Sequence, residues 1–120
     1  MKVGVDIVEV ERIRAIIDRY HERFLEKVFT VAEQQYCDQS VNKYERYAGR
    51  FAAKEALRKA LQPFTNARYL PFTHIEILPD DSGVPIPVIR TDISFMRSYT
   101  EISLSISHEK TYAVAFAIIH

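Results

Sequence analysis

Tyr47-Ala48-Gly49-Arg50-Phe51-Ala52-Ala53-Lys54-Glu55-Ala56-Leu57-Arg58-Lys59-Ala60-Leu61 is the stretch that decides the fold. Ala, Leu, Lys, Arg and Glu dominate it, one glycine stands near its start, and no proline follows until Pro63, so its intrinsic preference over four turns is helical. At a helical step Arg46, Arg50, Lys54 and Arg58 fall one turn apart along one side, while Ala48, Phe51, Ala52 and Glu55 share another. Glu55 is thereby aimed into an apolar sector, where a carboxylate must keep its proton or find a cation. Lys59 lies one turn further on. A solvated Glu-to-Lys pair at i, i+4, worth roughly a few tenths of a kcal/mol, explains that spacing by itself. The alanines favour a more specific reading, because small side chains let another element press close and leave a charge there poorly hydrated. An acid of this kind beside a lysine, with a row of cations on the adjoining face, has the chemistry of a metal and polyphosphate site.

The rest of the chain must supply a partner for this helix. A length of 120 residues with 48% hydrophobic content supports one domain, residues 1–120, with a modest core. Sixteen basic and sixteen acidic side chains cancel, so bulk charge draws the molecule to neither nucleic acid nor membrane, and any electrostatic function has to come from local clustering. A single cysteine, Cys37, excludes an internal disulfide, suits a reducing compartment and reads as a small core hydrophobe. The opening Met1-Lys2-Val3-Gly4-Val5-Asp6 has too short an apolar run for a signal peptide, and no stretch is long enough to span a bilayer. A cytoplasmic location is expected.

Val3, Val5 and Ile7 recur at period two and predict a first strand with those residues on its buried face and Asp6 on the other. From Val10 the pattern becomes helical, with Ile13, Ile16, Ile17, Tyr20 and Phe24 in one stripe and Arg12, Arg14, Arg19 and Arg23 on the other side, balanced by nearby acids. A solvated face explains those arginines, and an acidic partner helix would use them. Thr30 with Glu33 three residues later is a capping box for a short helix to about Cys37, and the long helix begins near Asn42. Gln62-Pro63-Phe64-Thr65-Asn66 ends it. His74 to Leu78 reads as a strand, Asp81-Ser82-Gly83 as a turn, and Val84 to Arg90 as an edge strand carrying Pro85 and Pro87. Ile102 to His108 alternates with serines and forms a hairpin with Thr111 to Ile119, which is apolar on both faces and therefore central or covered on both sides. Its alanine face suits the Ala-rich face of the long helix, which would bring His108 close to that helix. The fold class expected is α+β, a small antiparallel sheet packed against a long helix.

Asp6 on a strand and Glu55 on a helix are two hard oxygen ligands, enough for Mg²⁺ once phosphates and water complete its shell. Cys37, His21, His74, His108 and His120 lack zinc-ligand spacing. Gly4, Gly49 and Gly83 are the only glycines, so no Gly-rich phosphate loop exists and phosphates would be held by the metal and the Arg/Lys stripe. His108 is as readily a strand-end structural residue as a phosphate-binding or catalytic one.

Gly4-Val5-Asp6-Ile7-Val8-Glu9 with Arg12-Ile13, then Arg46 and Arg50-Phe51-Ala52-Ala53-Lys54-Glu55-Ala56 through Lys59-Ala60, and Ser105-Ile106-Ser107-His108 resemble the holo-[acyl-carrier-protein] synthases, the small phosphopantetheinyl transferases. The similarity runs in order over nearly the whole chain, and its most specific part is Phe-x-x-Lys-Glu-x-x-x-Lys combined with Gly-x-Asp near the start. The resemblance implies a phosphopantetheinyl transferase fold with one pseudo-half per chain. It implies Mg²⁺-dependent transfer of the 4'-phosphopantetheine of coenzyme A to a serine of an acyl carrier protein, with release of adenosine 3',5'-bisphosphate. It implies Asp6 and Glu55 as metal ligands, and Glu55, Lys59 and His108 as catalytic. Arg46, Arg50, Lys54, Lys59, Ser107 and His108 would then bind coenzyme A, and Arg12, Arg14, Arg19 and Arg23 an acidic carrier protein. It further implies a homotrimer with sites shared between neighbours. Where family members commonly have a Gly-rich turn after the long helix, this chain has Gln62-Pro63-Phe64-Thr65-Asn66. A hydrolase cleaving a nucleotide pyrophosphate, a non-catalytic coenzyme A or carrier-binding module, and a purely structural trimer are the competing readings.

Overall fold

A computed structural model describes residues 1–62, 70–90 and 101–120. Their order is β1 (Lys2–Glu9), α1 (Val10–Tyr20), α2 (Glu22–Val28), α3 (Val31–Asp38), α4 (Lys43–Leu61), a 3₁₀ turn at Phe72–His74, β2 (Ile75–Pro79), β3 (Pro85–Ile89), β4 (Ile102–His108) and β5 (Tyr112–Ile119). The class is α+β, with an antiparallel sheet in the order β1-β5-β4 and a separate antiparallel pair β2-β3. The Asn42 start of the long helix, the Pro-bearing edge strand and the terminal hairpin stand where the sequence puts them. Pro63-Phe64-Thr65-Asn66, expected to terminate α4, lie outside the described residues, and α4 ends at Leu61 with Gln62 as its C-cap.

Helix α4 is covered on most of its circumference, because Ala48, Ala52, Ala53, Ala56, Leu57 and Ala60 are all sealed from solvent. On the sheet, Ala113, Ala115 and Ala117 of β5 are buried opposite them, so alanine meets alanine and the backbones draw together. The approach is closest at Gly4, where an added Cβ would lie 1.9 Å from the Ala56 carbonyl oxygen and 2.9 Å from the Ala60 amide nitrogen. Neither backbone atom can step aside, so β1 reaches α4 only because residue 4 has no side chain.

Three expectations change. Val3, Val5 and Ile7 do not enter the core: they are 54%, 53% and 64% exposed, and Gly4, Asp6 and Val8 take the helix side. Strand periodicity distinguishes two faces but does not say which is buried, and β-branched residues drew the assignment to the wrong one. Their partners across the sheet, Val114 and Phe116, and Tyr112 beside them, are exposed as well. Second, the apolar stripe from Ile13 to Phe24 does not form one helix. His21 adopts φ 49°, in the left-handed region, and separates α1 from α2, so Arg23 stands on a different helix from Arg12, Arg14 and Arg19. Third, Lys54 is an interior residue.

Lys54 is anchored by the end of α3. The Thr30 amide donates to Glu33 Oε1 at 2.9 Å and the Glu33 amide to Thr30 Oγ1 at 3.2 Å, the expected capping box. The same Glu33 carboxylate accepts from Lys54 Nζ at 2.6 Å and from the Ile77 amide at 2.8 Å. Lys54 Nζ also donates to the carbonyls of Val28 at 2.6 Å and Phe72 at 3.1 Å, which accounts for all three of its donors. Both side chains are wholly buried. One ion pair therefore ties α2, α3, α4, the 3₁₀ turn and β2 together. Burial lowers the Lys54 pKa, and the charge and hydrogen bond of Glu33 push it back up.

Candidate metal and phosphate site

The last two turns of α4 carry Glu55, Arg58 and Lys59 to the margin of the packed region, where with the C-cap Gln62 they line a cleft of about 280 Å³. Strand β1 passes beside it with Asp6 on the helix side, two residues beyond the close approach at Gly4. Lys59 Nζ donates to Asp6 Oδ1 at 3.0 Å and to the Val5 carbonyl at 2.9 Å. Arg58 Nη1 lies 3.5 Å from Glu55 Oε1, and its guanidinium covers the Phe72 ring at 4.3 Å. The i, i+4 pairing of Glu55 with Lys59 is thus not the contact made: Glu55 takes Arg58 and Lys59 takes Asp6.

The carboxyl of Glu55 is held above the ordinary carboxylate range, first by partial burial and then by the negative charge of Asp6, with Arg58 and Lys59 opposing. Two acids whose charges act on one another are of the hard-oxygen type that a divalent cation takes. Among the described residues no group of three or more His, Cys, Asp or Glu side chains collects. A fully protein-made cage is therefore not built there. The fit is to Mg²⁺, which keeps several waters and takes further oxygens from substrate phosphates. Asp6 and Glu55 are the residues that would hold it.

The structure divides the remaining candidates. Lys54, expected among the coenzyme A ligands, has its ammonium committed to Glu33, Val28 and Phe72 and does not reach either surface. Its neighbour Glu55 is turned about 100° around the helix axis and faces the cleft. Arg46 and Arg50 both lie against one ring, their guanidinium carbons 4.1 and 4.4 Å from the centroid of Tyr36. Arg46 also donates to the Tyr36 carbonyl at 2.7 Å. The row of cations on α4 is thus a packed seam, each member lying against an aromatic ring, rather than an open stripe.

Arg50 and His108 line a second, smaller pocket of about 130 Å³ with Tyr36, Gly83, Pro85 and Ile106. Arg50 is only 5% exposed and its Nε has no hydrogen-bond partner, which is costly for a buried donor and suits a site that receives an acceptor. His108 Nδ1 lies 3.1 Å from Glu45 Oε1. Ser107 does not join them: by alternation along β4 it projects, exposed, to the opposite face. In the sheet register Asp6 is level with Ala115 and His108 with Ala113, on strands either side of β5. Asp6 and His108 are therefore two strand spacings apart and offset by two residues along the sheet, about 12 Å between backbones, with α4 packed over the strand between them. The chain thus carries two separate pockets rather than one.

Arg12, Arg14, Arg19 and Arg23 are all exposed. Arg14 pairs with Asp18 at 3.8 Å and lies over the Tyr44 ring. Cys37 is fully buried and its thiol is pushed up to about 12, chiefly by burial, which leaves it neutral and unsuited to attack or ligation. Sequence reasoning placed Arg58 on a stripe without assigning it to the cleft, and passed over Tyr36, Glu45, Gly83 and Pro85. The signal for Arg58 was its position one turn before the helix end beside Glu55. The others are brought in by tertiary contacts with no local signature. No helix among the described residues is long and apolar enough to cross a membrane.

Comparison with known proteins gives one answer. The family model of the 4'-phosphopantetheinyl transferase superfamily matches residues 2–117. The holo-[acyl-carrier-protein] synthase of Halothermothrix orenii is 43% identical over 119 residues, spanning 97% of this chain and 94% of that protein. That of Ruminiclostridium cellulolyticum is 42% identical over 125 residues, spanning 99% and 91%. Among solved structures, the Helicobacter pylori holo-[acyl-carrier-protein] synthase in complex with coenzyme A superposes with a TM-score of 0.85 at 30% identity, over 98% of this chain and 99% of that one. The Bacillus anthracis holo-(acyl-carrier-protein) synthase, also a coenzyme A complex, gives 0.79 at 34% identity, over 98% and 94%. Family model, identity and coverage agree for these relatives, and the chain belongs to the 4'-phosphopantetheinyl transferase superfamily, with holo-[acyl-carrier-protein] synthases as its relatives.

Proposed function

We propose that this protein transfers the 4'-phosphopantetheine group of coenzyme A to a serine of an apo acyl carrier protein, with Mg²⁺ as cofactor. What supports the reading is that Glu55 and Lys59 line one cleft and Lys59 is bonded to Asp6 at 3.0 Å, in a chain related to holo-[acyl-carrier-protein] synthases. The serine hydroxyl oxygen attacks the β-phosphorus of coenzyme A, the bond from that phosphorus to the bridging oxygen breaks, and adenosine 3',5'-bisphosphate leaves with the electron pair while the serine proton passes to solvent or a nearby base. Bound Mg²⁺ would supply neutralising charge on the diphosphate. Lys59 stands within 3.0 Å of Asp6 and contributes a second positive charge there. Asp6 and Glu55 would hold the metal, and no covalent enzyme intermediate is required.

The Arg50 and His108 pocket suits the nucleotide end, with a guanidinium and an imidazole for a phosphate and the Tyr36 ring beside them. Because that pocket and the Asp6 cleft lie on opposite edges of the sheet, we assign the complete site to association of copies in a homotrimer. The alanine face of β5 is already used by α4. The outward face, with Val3, Val5, Ile7, Val114 and Phe116 exposed, is a contiguous apolar surface of the kind that pairs with another copy. Arg12, Arg14, Arg19 and Arg23 suit an acidic carrier, and the whole reaction belongs to the cytoplasm.

Intact mass of an apo acyl carrier protein tests the reading after incubation with this protein, coenzyme A and Mg²⁺. The expected result is a gain of one phosphopantetheine group, abolished by a chelator. Consumption of coenzyme A with no change in carrier mass would instead identify a pyrophosphate hydrolase.

A further inference from the structure

We infer that Glu45 is a positioning residue for coenzyme A binding: its carboxylate holds the His108 ring by Nδ1, so that Nε2 is the nitrogen offered to a phosphate in the Arg50 pocket. The inference deepens the transferase reading and rests on it.

Glu45 lies in the first turn of α4 and His108 at the end of β4. Their side chains are 21% and 35% exposed, and Nδ1 of the ring meets Oε1 of the acid at 3.1 Å. An ionised carboxylate only accepts hydrogen bonds, so the proton of that contact sits on Nδ1 and the ring has one nitrogen left, Nε2. Packing supports the same orientation. Gly49, one turn after Glu45, stands under this end of β4, where an added Cβ would lie 3.6 Å from His108 Cδ2 and 3.1 Å from Ile106 Cγ2. A side chain at position 49 would crowd the strand that carries the ring.

The pocket beside the ring calls for an acceptor. Arg50 is 5% exposed and its Nε has no hydrogen-bond partner, and it lines one space with His108, Tyr36 and Pro85. A phosphate seated there takes one donor from the guanidinium and, with both ring nitrogens protonated, a second from Nε2. Glu45 then faces an imidazolium, and its negative charge offsets one of the two cations gathered around the phosphate. Glu109, next in the chain after the ring, is engaged elsewhere: its carboxylate accepts from the amides of Thr111 at 2.8 Å and Tyr112 at 2.6 Å. Glu45 is therefore the acid that orients His108. An acid in a first helical turn also favours the positive end of the helix dipole, but that role by itself moves stability and not ligand affinity.

A double-mutant cycle separates the two roles. Glu45→Ala removes acceptor and charge, Glu45→Gln keeps an acceptor, and His108→Ala removes the ring. Coenzyme A affinity is measured by titration calorimetry with Mg²⁺ present, next to thermal unfolding of each variant. Glu45→Ala should weaken coenzyme A about tenfold, the scale of a lost hydrogen bond to a charged group, and Glu45→Gln should recover part of that. In the His108→Ala background, adding Glu45→Ala should cost less than about twofold, because the carboxylate acts through the ring. In the carrier assay the loss should fall on the KM for coenzyme A, with kcat within about twofold of wild type. Nitrogen-15 NMR of the free wild-type protein, at a pH above the ring's own titration, should show His108 protonated on Nδ1. Wild-type affinity in folded Glu45→Ala, or an equal loss in both backgrounds, would leave Glu45 a helix-end acid and overturn the inference. If Glu45→Ala does not fold, the wild-type NMR signature decides alone: a neutral ring protonated on Nε2 overturns it. Failure of the transferase reading shows differently, as a wild-type protein that binds coenzyme A and leaves the carrier unmodified.

Discussion

Lys54 and Glu55 are consecutive in sequence and opposite in circumstance. Lys54 is sealed against Glu33 with every donor used, whereas Glu55 stands at an open cleft with Arg58 at 3.5 Å and a carboxyl poised above its ordinary range. Both belong to ion pairs on one helix, yet the first is closed to water and the second is open to it. The step of about 100° between neighbouring helical residues makes the division. Burial decides the consequence. A pair cut off from water resists rearrangement because breaking it strands a charge, and a pair in contact with water can exchange its partner for a metal or a phosphate.

Substitutions separate the two. Lys54→Met should cost about 3–5 kcal/mol of stability, because Glu33 would be left charged and buried, and denaturant unfolding measures it. Adding Glu33→Gln should restore part of the loss. Glu55→Gln should leave unfolding nearly unchanged and reduce carrier modification by about 10²–10³, the scale of losing a group that organises transition-state charge. If Glu55→Gln destabilised as much as Lys54→Met, the division between the two residues would be wrong.

A smaller effect belongs to the outer surface. Reversing Arg12 and Arg14 to glutamate should weaken carrier binding about tenfold at low salt, with the difference shrinking as salt rises. Coenzyme A affinity should not move. Carrier affinity equal to wild type would remove this face from the reaction.

The pH dependence is smaller again and has a definite sign. The Glu55 pKa is raised above 4.5, so the folded chain binds that proton more tightly than the unfolded one. Ionising Glu55 therefore costs stability as pH rises from 4.5 through the folded value, and the cost is absent below 4.5. Glu55→Gln should abolish that part of the stability profile. Metal binding needs the ionised carboxylate, so metal affinity should fall as pH drops through the same interval, releasing a proton on binding.

Much of this was legible in the chain itself. The helix over Lys43–Leu61, the Thr30 and Glu33 capping box, and the terminal hairpin follow from propensity, cap chemistry and alternation, which are local. Asp6 and Glu55 were paired by the motif, and in the fold the charge of Asp6 acts on the Glu55 carboxyl. What failed was whatever depends on which face finds a partner. Val3, Val5 and Ile7 look like a core because they are β-branched, yet the helix needs the small Gly4 on its side, and only the 1.9 Å approach at Ala56 reveals it. Lys54 looks like a phosphate ligand until Glu33, 21 residues earlier, closes over it. The division of the first helical stripe depends on a left-handed His21, which hydrophobic periodicity does not register.

The central claim is that Asp6 and Glu55 share one metal ion. Binding of Mn²⁺ as a spectroscopic substitute for Mg²⁺, followed by electron paramagnetic resonance with coenzyme A present, tests it most directly in wild type, Asp6→Asn and Glu55→Gln. The account predicts one site in the wild type, weakened at least about tenfold by either substitution, a size usual for lost metal-site partners. Undiminished Mn²⁺ affinity in both folded variants would contradict it.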